Sequence, residues 1–442
     1  MARTLLKNCR IVNEFEQKEA DLILKPPFIE RIDSDITDPE AEVIDLKGNY
    51  LLPGLIDDQV HFREPGLTHK GDIASESRAA LAGGITSFME QPNTNPQTVT
   101  LEALEEKHQR AAETAFTNYS FFLGGTNDNL ETLKSVGLNQ CAGIKLFLGS
   151  STGNMLVDNE EVIERIFSNT PLVIAAHCED EGTIRRNMEK AKAQYGDDIP
   201  MEMHPLIRSE EACFLSSSRA IALAKKTGAR LHVFHLSTGK EVPLFDAGPI
   251  ENKQITAEVC IHHLWFSDEN YAEKGSLIKW NPAVKTAEDR MSLRQAVNED
   301  RIDIIATDHA PHTLEEKQNP YTSAPSGGPL VQHALNALWE MQNDIPLEKW
   351  VQKMAHNPAI RFKIDRRGFI REGYYGDLVQ VNPEASWTVS KENILYKCGW
   401  SPFEGTRFGA RVERTWLNGQ CAYNQGEFMP QGVGMRLEYT RS

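Results

Sequence analysis

Along residues 1–52 the chain alternates short apolar patches with polar turns: Leu5-Leu6, Arg10-Ile11-Val12, Asp21–Leu24, Phe28–Ile32 and Glu42–Leu46. Runs this short, separated by Asn, Pro and Asp, predict antiparallel strands, too few to bury a core by themselves. The same texture returns near the other end, at Gly368–Ile370, Gly376–Val381, Trp387–Val389 and Arg411–Trp416. Together these stretches predict one small discontinuous β-sandwich domain, residues 1–53 and 366–442, with a larger domain, residues 54–365, inserted between its halves.

In that inserted region apolar strands alternate with helical stretches. The strand candidates are Leu55–Asp58, Ile85–Glu90, Tyr119–Leu123, Gly143–Leu148, Leu172–Ala176, Arg230–His235, Ile255–Cys260 and Ile302–Thr307. Between them Ala74–Ala82, Leu101–Thr114, Glu160–Phe167, Ser209–Thr227 and Glu288–Asn298 carry Ala, Glu, Lys and Leu at helical spacing. Strands and helices alternating in this way predict an α/β fold, a (β/α)8 TIM-type barrel. A doubly wound open sheet would favour a glycine-rich phosphate loop after the first strand, and none is present.

Composition narrows the function classes. The 442 residues suffice for a large core plus an accessory module, and 40% hydrophobic with 25% charged is ordinary globular composition. No apolar run approaches the roughly 20 residues that cross a bilayer, and the N-terminal stretch lacks the apolar core of a signal peptide, so a cytoplasmic protein is expected. Seven cysteines form no CxxC pair and read as reduced thiols. The net charge of −16 disfavours nucleic acid or an anionic membrane as the main partner. A small anionic substrate remains open, because a few local Arg and Asn side chains can hold a carboxylate.

The C-terminal ends of barrel strands form the active face. There the sequence offers His61 after strand one, Gln91-Pro92-Asn93 after two, Lys145 within four, His177 after five, His235 at the end of six and Asp308 at the end of eight. Any one of these is ordinarily a hydrogen-bonded strand-end residue. Together, imidazoles and a carboxylate suit zinc or a similar divalent ion. Lys145 lies within an apolar strand, where a charged ammonium is costly to bury. Either its head reaches solvent at the strand end, or it is neutral, paired or modified, for instance as the carbamate formed with carbon dioxide.

The segment Ala306-Thr307-Asp308-His309-Ala310-Pro311-His312-Thr313-Leu314-Glu315-Glu316-Lys317 resembles the dihydroorotase signature, within the amidohydrolase superfamily. Phe62-Arg63-Glu64-Pro65-Gly66, Gln91-Pro92-Asn93-Thr94-Asn95-Pro96 and Lys279-Trp280-Asn281-Pro282 are similar too, and the likeness runs from about Leu51 to Asp365. The resemblance implies His61, His177, His235 and Asp308 as ligands of one or two zinc ions, and Lys145 as an N6-carboxylated bridge between them. It implies Arg63, Asn93 and His312 as a clamp on the substrate's carboxylate, with Asn281 and the backbone at Ser326 and Gly327 touching the ring. Asp308 would carry the proton between the attacking water and the leaving nitrogen. The implied reaction is reversible cyclisation of N-carbamoyl-L-aspartate to L-dihydroorotate, in pyrimidine biosynthesis, by a cytoplasmic homodimer.

The resemblance breaks at the opening motif, Asp57-Asp58-Gln59-Val60-His61, where the family pattern Asp-x-His-x-His would put a histidine at Gln59. An amide oxygen is a weaker zinc ligand than an imidazole. The other expectations are a hydantoinase-like or allantoinase-like hydrolase, or a non-catalytic homologue that scaffolds a partner enzyme. By strand alternation His232 should face away from His235. Glu179 and Asp180 read as a solvated helix start, with Glu179 a possible support for the site. The stretch from Pro311 to Pro329 reads as a mobile loop over the site.

Overall fold

The computed structural model describes residues 2–149, 155–430 and 434–441. The terminal segments meet in one nine-stranded sheet. Its path runs Glu427–Phe428, Gln420–Asn424, Arg411–Leu417, Leu378–Asn382, Tyr50–Pro53, Thr4–Asn13, Glu16–Lys25, Phe28–Asp33, with Glu42–Asp45 paired beside Thr4–Asn13. Tyr50–Pro53 joins the two halves. It lies parallel to Thr4–Asn13 (Arg10 opposite Tyr50) and antiparallel to Leu378–Asn382 (Leu378 opposite Pro53). Leu5-Leu6 and Arg10–Val12, two patches in the sequence, are one strand; Gly368–Ile370 forms no strand. Trp387–Thr388 leaves the sheet and pairs with Arg407–Phe408.

Gly54 carries the chain from that sheet into the barrel. A Cβ there would stand 2.2 Å from Thr86 Oγ1, so only glycine admits the close approach. The eight barrel strands follow: Leu55–Val60, Ile85–Glu90, Asn118–Phe121 (continued by Leu123–Gly124), Ile144–Phe147, Ile174–His177, Leu231–Val233, Ile255–Cys260 and Ile304–Ala306. Neighbours pair in parallel throughout. The ring closes where Val60 bridges His309 and the His61 N–H donates to the His309 carbonyl at 2.7 Å.

The helices lie where apolar periodicity places them, and their ends carry the expected caps. Glu210–Thr227 starts at Ser209, whose hydroxyl accepts from the Ala212 N–H, and stops at Gly228 with φ 78°. Ile73–Ala82 opens with a reciprocal Asp72/Ser75 box. No helix among the described residues is long and apolar enough to cross a membrane.

A buried polar knot fastens the terminal sheet to the third barrel strand. Asp377 accepts from the Arg367 guanidinium, from Asn118 Nδ2 at 3.1 Å and from the Asn418 N–H at 2.8 Å, while Arg367 also donates to Asn418 Oδ1 at 2.9 Å. Removing one member strands a buried charge. Asp377→Ala is therefore expected to lower unfolding free energy by about 3–5 kcal/mol, read as a shifted midpoint in urea with both spectroscopic and activity signals. A midpoint within error of the parent would refute the coupling.

Candidate metal centre and substrate pocket

The strand ends bring the expected residues to one pocket. His61, Lys145, His177, His235 and Asp308 line it together with Arg63, Asn93, Asn281, Ser326 and Gly327. His312 stands behind, against Arg63. Phe147, Trp280 and Ala310 also line the pocket, and nothing in their spacing marked them in advance.

Local backbone geometry aims three of these side chains. Arg63, His235 and Asp308 have φ of 71°, 42° and 47°, a left-handed conformation that costs a non-glycine residue of order 1 kcal/mol and gathers at functional sites. The turn at His235 breaks strand alternation. His232 consequently does not face away: its Nε2 lies 3.2 Å from Asp58 Oδ2, an inward-pointing side chain of the first strand.

Hydrogen bonds orient the imidazoles. His61 Nδ1–H donates to Asn93 Oδ1 at 2.8 Å, which leaves Nε2 as a lone pair 3.0 Å from Asp308 Oδ1. His177 Nδ1 and His235 Nε2 share one hydrogen bond at 3.0 Å, and His177 Nε2 lies 2.9 Å from Glu179 Oε2. Burial lowers the pKa of all three imidazoles, most strongly for His235, so they stand neutral. The His61 Nε2 lone pair facing the Asp308 carboxylate at 3.0 Å in a dry pocket is repulsive without a cation between them. The donor set thus fits a divalent metal.

Glu179 is fully buried rather than solvated. Burial pushes its pKa up, but Arg208 and His177 outweigh this and hold it well below the usual range. Arg208 Nε reaches both carboxylate oxygens at 3.1 Å. Its adjacency to His177 in sequence was the available signal for this support. Lys145 is 1% exposed, with its ammonium 4.1 Å from the Phe234 ring centroid. Desolvation brings its pKa down to about 7, so a large share is neutral amine near neutral pH. Gln59 lies beside it, buried, its amide oxygen accepting from the Cys260 thiol at 3.5 Å.

The opposite wall is cationic. Arg63 is 3% exposed, and burial lowers its pKa to about 10. Its Nε donates to the Pro311 carbonyl at 3.0 Å. His312 Nδ1 lies 3.0 Å from Lys70 Nζ, and its Nε2 lies 3.0 Å from Arg63 Nη2 and 3.1 Å from the Ser326 carbonyl oxygen. No carboxylate among the described residues lies within ion-pair distance of Arg63. Asn281 Oδ1 is buried without a partner among them.

The Pro311–Pro329 stretch is cross-tied. Lys317 Nζ donates to the carbonyls of Gly327 at 2.7 Å and Pro325 at 2.9 Å, and Lys279 Nζ to those of Tyr321 and Ala324. Gly327 has φ 125°, and a Cβ there would stand 2.5 Å from the Ala310 carbonyl oxygen. Its N–H donates to the Lys279 carbonyl, so that group is already spoken for inside the protein. His262 stacks on Trp280, and His263 Nε2 meets the Pro282 carbonyl at 3.1 Å.

The amidohydrolase family model matches residues 50–421. The chain is 32% identical over 429 residues to the dihydroorotase of Carboxydothermus hydrogenoformans, covering 95% of this chain and 98% of that one. It is 30% identical over 445 residues to the allantoinase of Deinococcus radiodurans, covering 98% of each. The solved L-hydantoinase (dihydropyrimidinase) of Arthrobacter aurescens superposes with a TM-score of 0.93 at 26% identity, over 99% of this chain and 100% of that one.

The buried lysine makes a stability prediction. Between about pH 10.5 and pH 7 the unfolded chain holds a Lys145 proton that the metal-free folded chain lacks, so folded stability falls as pH falls through that window and levels below it. In metal-free, CO2-free buffer Lys145→Met should be more stable than the parent, by roughly 3–5 kcal/mol near pH 7 and much less near pH 10. Urea unfolding at both values tests this; a difference independent of pH would contradict it.

Proposed function

The chain belongs to the amidohydrolase family, and we propose that it is a dihydroorotase, interconverting N-carbamoyl-L-aspartate and L-dihydroorotate for pyrimidine biosynthesis. The class, a hydrolase of cyclic amides, follows from the family and its relatives. The observation that carries the finer reading is Arg63, a buried guanidinium at the pocket wall without a carboxylate partner among the described residues. A hydantoin ring brings no carboxylate to meet it; dihydroorotate does.

In this reading Arg63 grips the substrate carboxylate through two N–H groups, because a planar guanidinium matches a carboxylate bidentately. Asn93 and His312 hold that grip in place, and Asn281 Oδ1 accepts from a ring N–H. Asp308 takes a proton from water and returns it to the leaving ring nitrogen, base then acid. The Lys145 amine, neutral near pH 7, is the one to take up carbon dioxide, forming an N–C bond and releasing a proton. His61, His177, His235, Asp308 and carboxylated Lys145 would hold one or two zinc ions, which when bound supply Lewis acidity at the substrate carbonyl and an acidified water. Gln59 offers only a neutral amide oxygen, already engaged with Cys260, so we assign the firmer grip to Lys145, His177 and His235. A homodimer is part of the same reading.

Arg63→Met is expected to lower kcat/KM for dihydroorotate by about 100-fold or more, with turnover of an uncharged hydantoin not falling in parallel. Equal loss on both, or retained dihydroorotate turnover, would favour a hydantoinase or allantoinase. Lys145→Ala should abolish turnover of either substrate, and short-chain carboxylic acids added to that variant should restore part of it. A fully active Lys145→Ala protein would refute the bridging role.

A further inference from the structure

One layer beneath the pocket, Asp58, His232 and Glu258 meet inside the barrel. All three side chains are fully buried, and a ligand atom of each lies within 4.8 Å of the others. His232 Nε2 is 3.2 Å from Asp58 Oδ2 and 3.7 Å from Glu258 Oε2. These separations resemble the edges of a zinc coordination tetrahedron, about 3.4 Å for ligands near 2.1 Å from the ion.

The surrounding bonds leave the acceptor sides of all three pointing at one another. Thr256 directs its hydroxyl hydrogen to the Leu231 carbonyl at 3.4 Å, so it accepts from His232 Nδ1–H at 2.8 Å. His232 Nε2 is therefore a lone pair. Glu258 Oε1 accepts the His235 N–H at 3.1 Å, leaving Oε2 for the cluster. Neither oxygen of Asp58, nor Glu258 Oε2, nor His232 Nε2 makes a hydrogen bond of good geometry among the described residues. The walls are apolar: the rings of Phe234 and Phe362 stand 5.3 and 5.8 Å from that of His232. Two carboxyl groups and an imidazole with no hydrogen bond of good geometry between them are costly in such a place. An imidazole whose far N–H is pinned by a hydroxyl is the arrangement metal-binding histidines adopt.

We propose that Asp58, His232 and Glu258 form an interior zinc seat, separate from the strand-end ligands and independent of which cyclic amide the pocket takes. Its donors, two carboxylate oxygens and one imidazole nitrogen, suit zinc. Through Glu258, the same seat would brace the backbone N–H of His235 from below.

The test uses the full chain with zinc chloride as the only added metal. Zinc-edge anomalous difference maps of wild-type crystals should show a peak between the three side chains. Plasma mass spectrometry should find about one zinc per chain fewer in Asp58→Asn and in His232→Gln than in wild type. Lys145→Ala should weaken zinc at the strand ends and leave the interior peak, which separates failure of this seat from failure of the strand-end reading. A wild-type map without density at the triangle overturns the proposal, and so do folded variants with unchanged zinc content. Should both variants fail to fold, the wild-type map alone decides.

Discussion

The barrel's upper half is governed by the cost of burying polar groups without water. Lys145, His177, His235 and Asp308 are buried, and the His61 Nε2 lone pair faces Asp308 Oδ1 at 3.0 Å. Apolar packing alone would expel such a set. It is tolerated because each side chain is tied from behind. Asn93 holds His61, Glu179 holds His177, the neighbouring Glu258 holds the His235 backbone, and Trp280 Nε1 donates to the Asp308 carbonyl at 3.2 Å. These ties fix how the side chains are aimed into the pocket.

The same constraint shapes the cationic wall. Arg63 could relieve its burial by collapsing onto a carboxylate, as Arg367 does with Asp377. Of the carboxylates around it, Glu90 is taken by Lys107 at 2.7 Å and Glu316 by Lys70 at 3.1 Å. Lys317 and Lys279, both buried, spend their donors on loop carbonyls and so hold Ser326 and Gly327 against the pocket. The guanidinium is kept unneutralised by its neighbours, an arrangement that favours binding a carboxylate over packing.

Much of this was legible in the chain. All eight barrel strands sit where apolar runs bounded by turns place them, and Leu101–Thr114 ends on the residues its periodicity indicates. The residues at strand ends converge because a parallel barrel brings every C-terminal strand end to one face. What escaped notice depends on local departures from ideal geometry. The positive φ of His235 puts it and His232 on the same inner side, which alternation forbids. Glu179 looked like a helix-start carboxylate; its burial depends on Arg208, 29 residues away. Lys279 and Lys317 look like surface charges in sequence, and only the fold shows the carbonyls they serve.

Gln59 gains a physical context from its neighbours. Its amide oxygen takes the Cys260 thiol hydrogen, and Cys260 also reaches Glu258 Oε1 at 3.5 Å. Glu258 in turn faces Asp58 and His232. An imidazole at position 59 would bring a basic nitrogen beside that thiol and draw it toward thiolate, adding charge where burial already holds the Cys260 pKa well up. The neutral amide instead keeps Cys260 protonated and leaves the Glu258 carboxylate to the layer below.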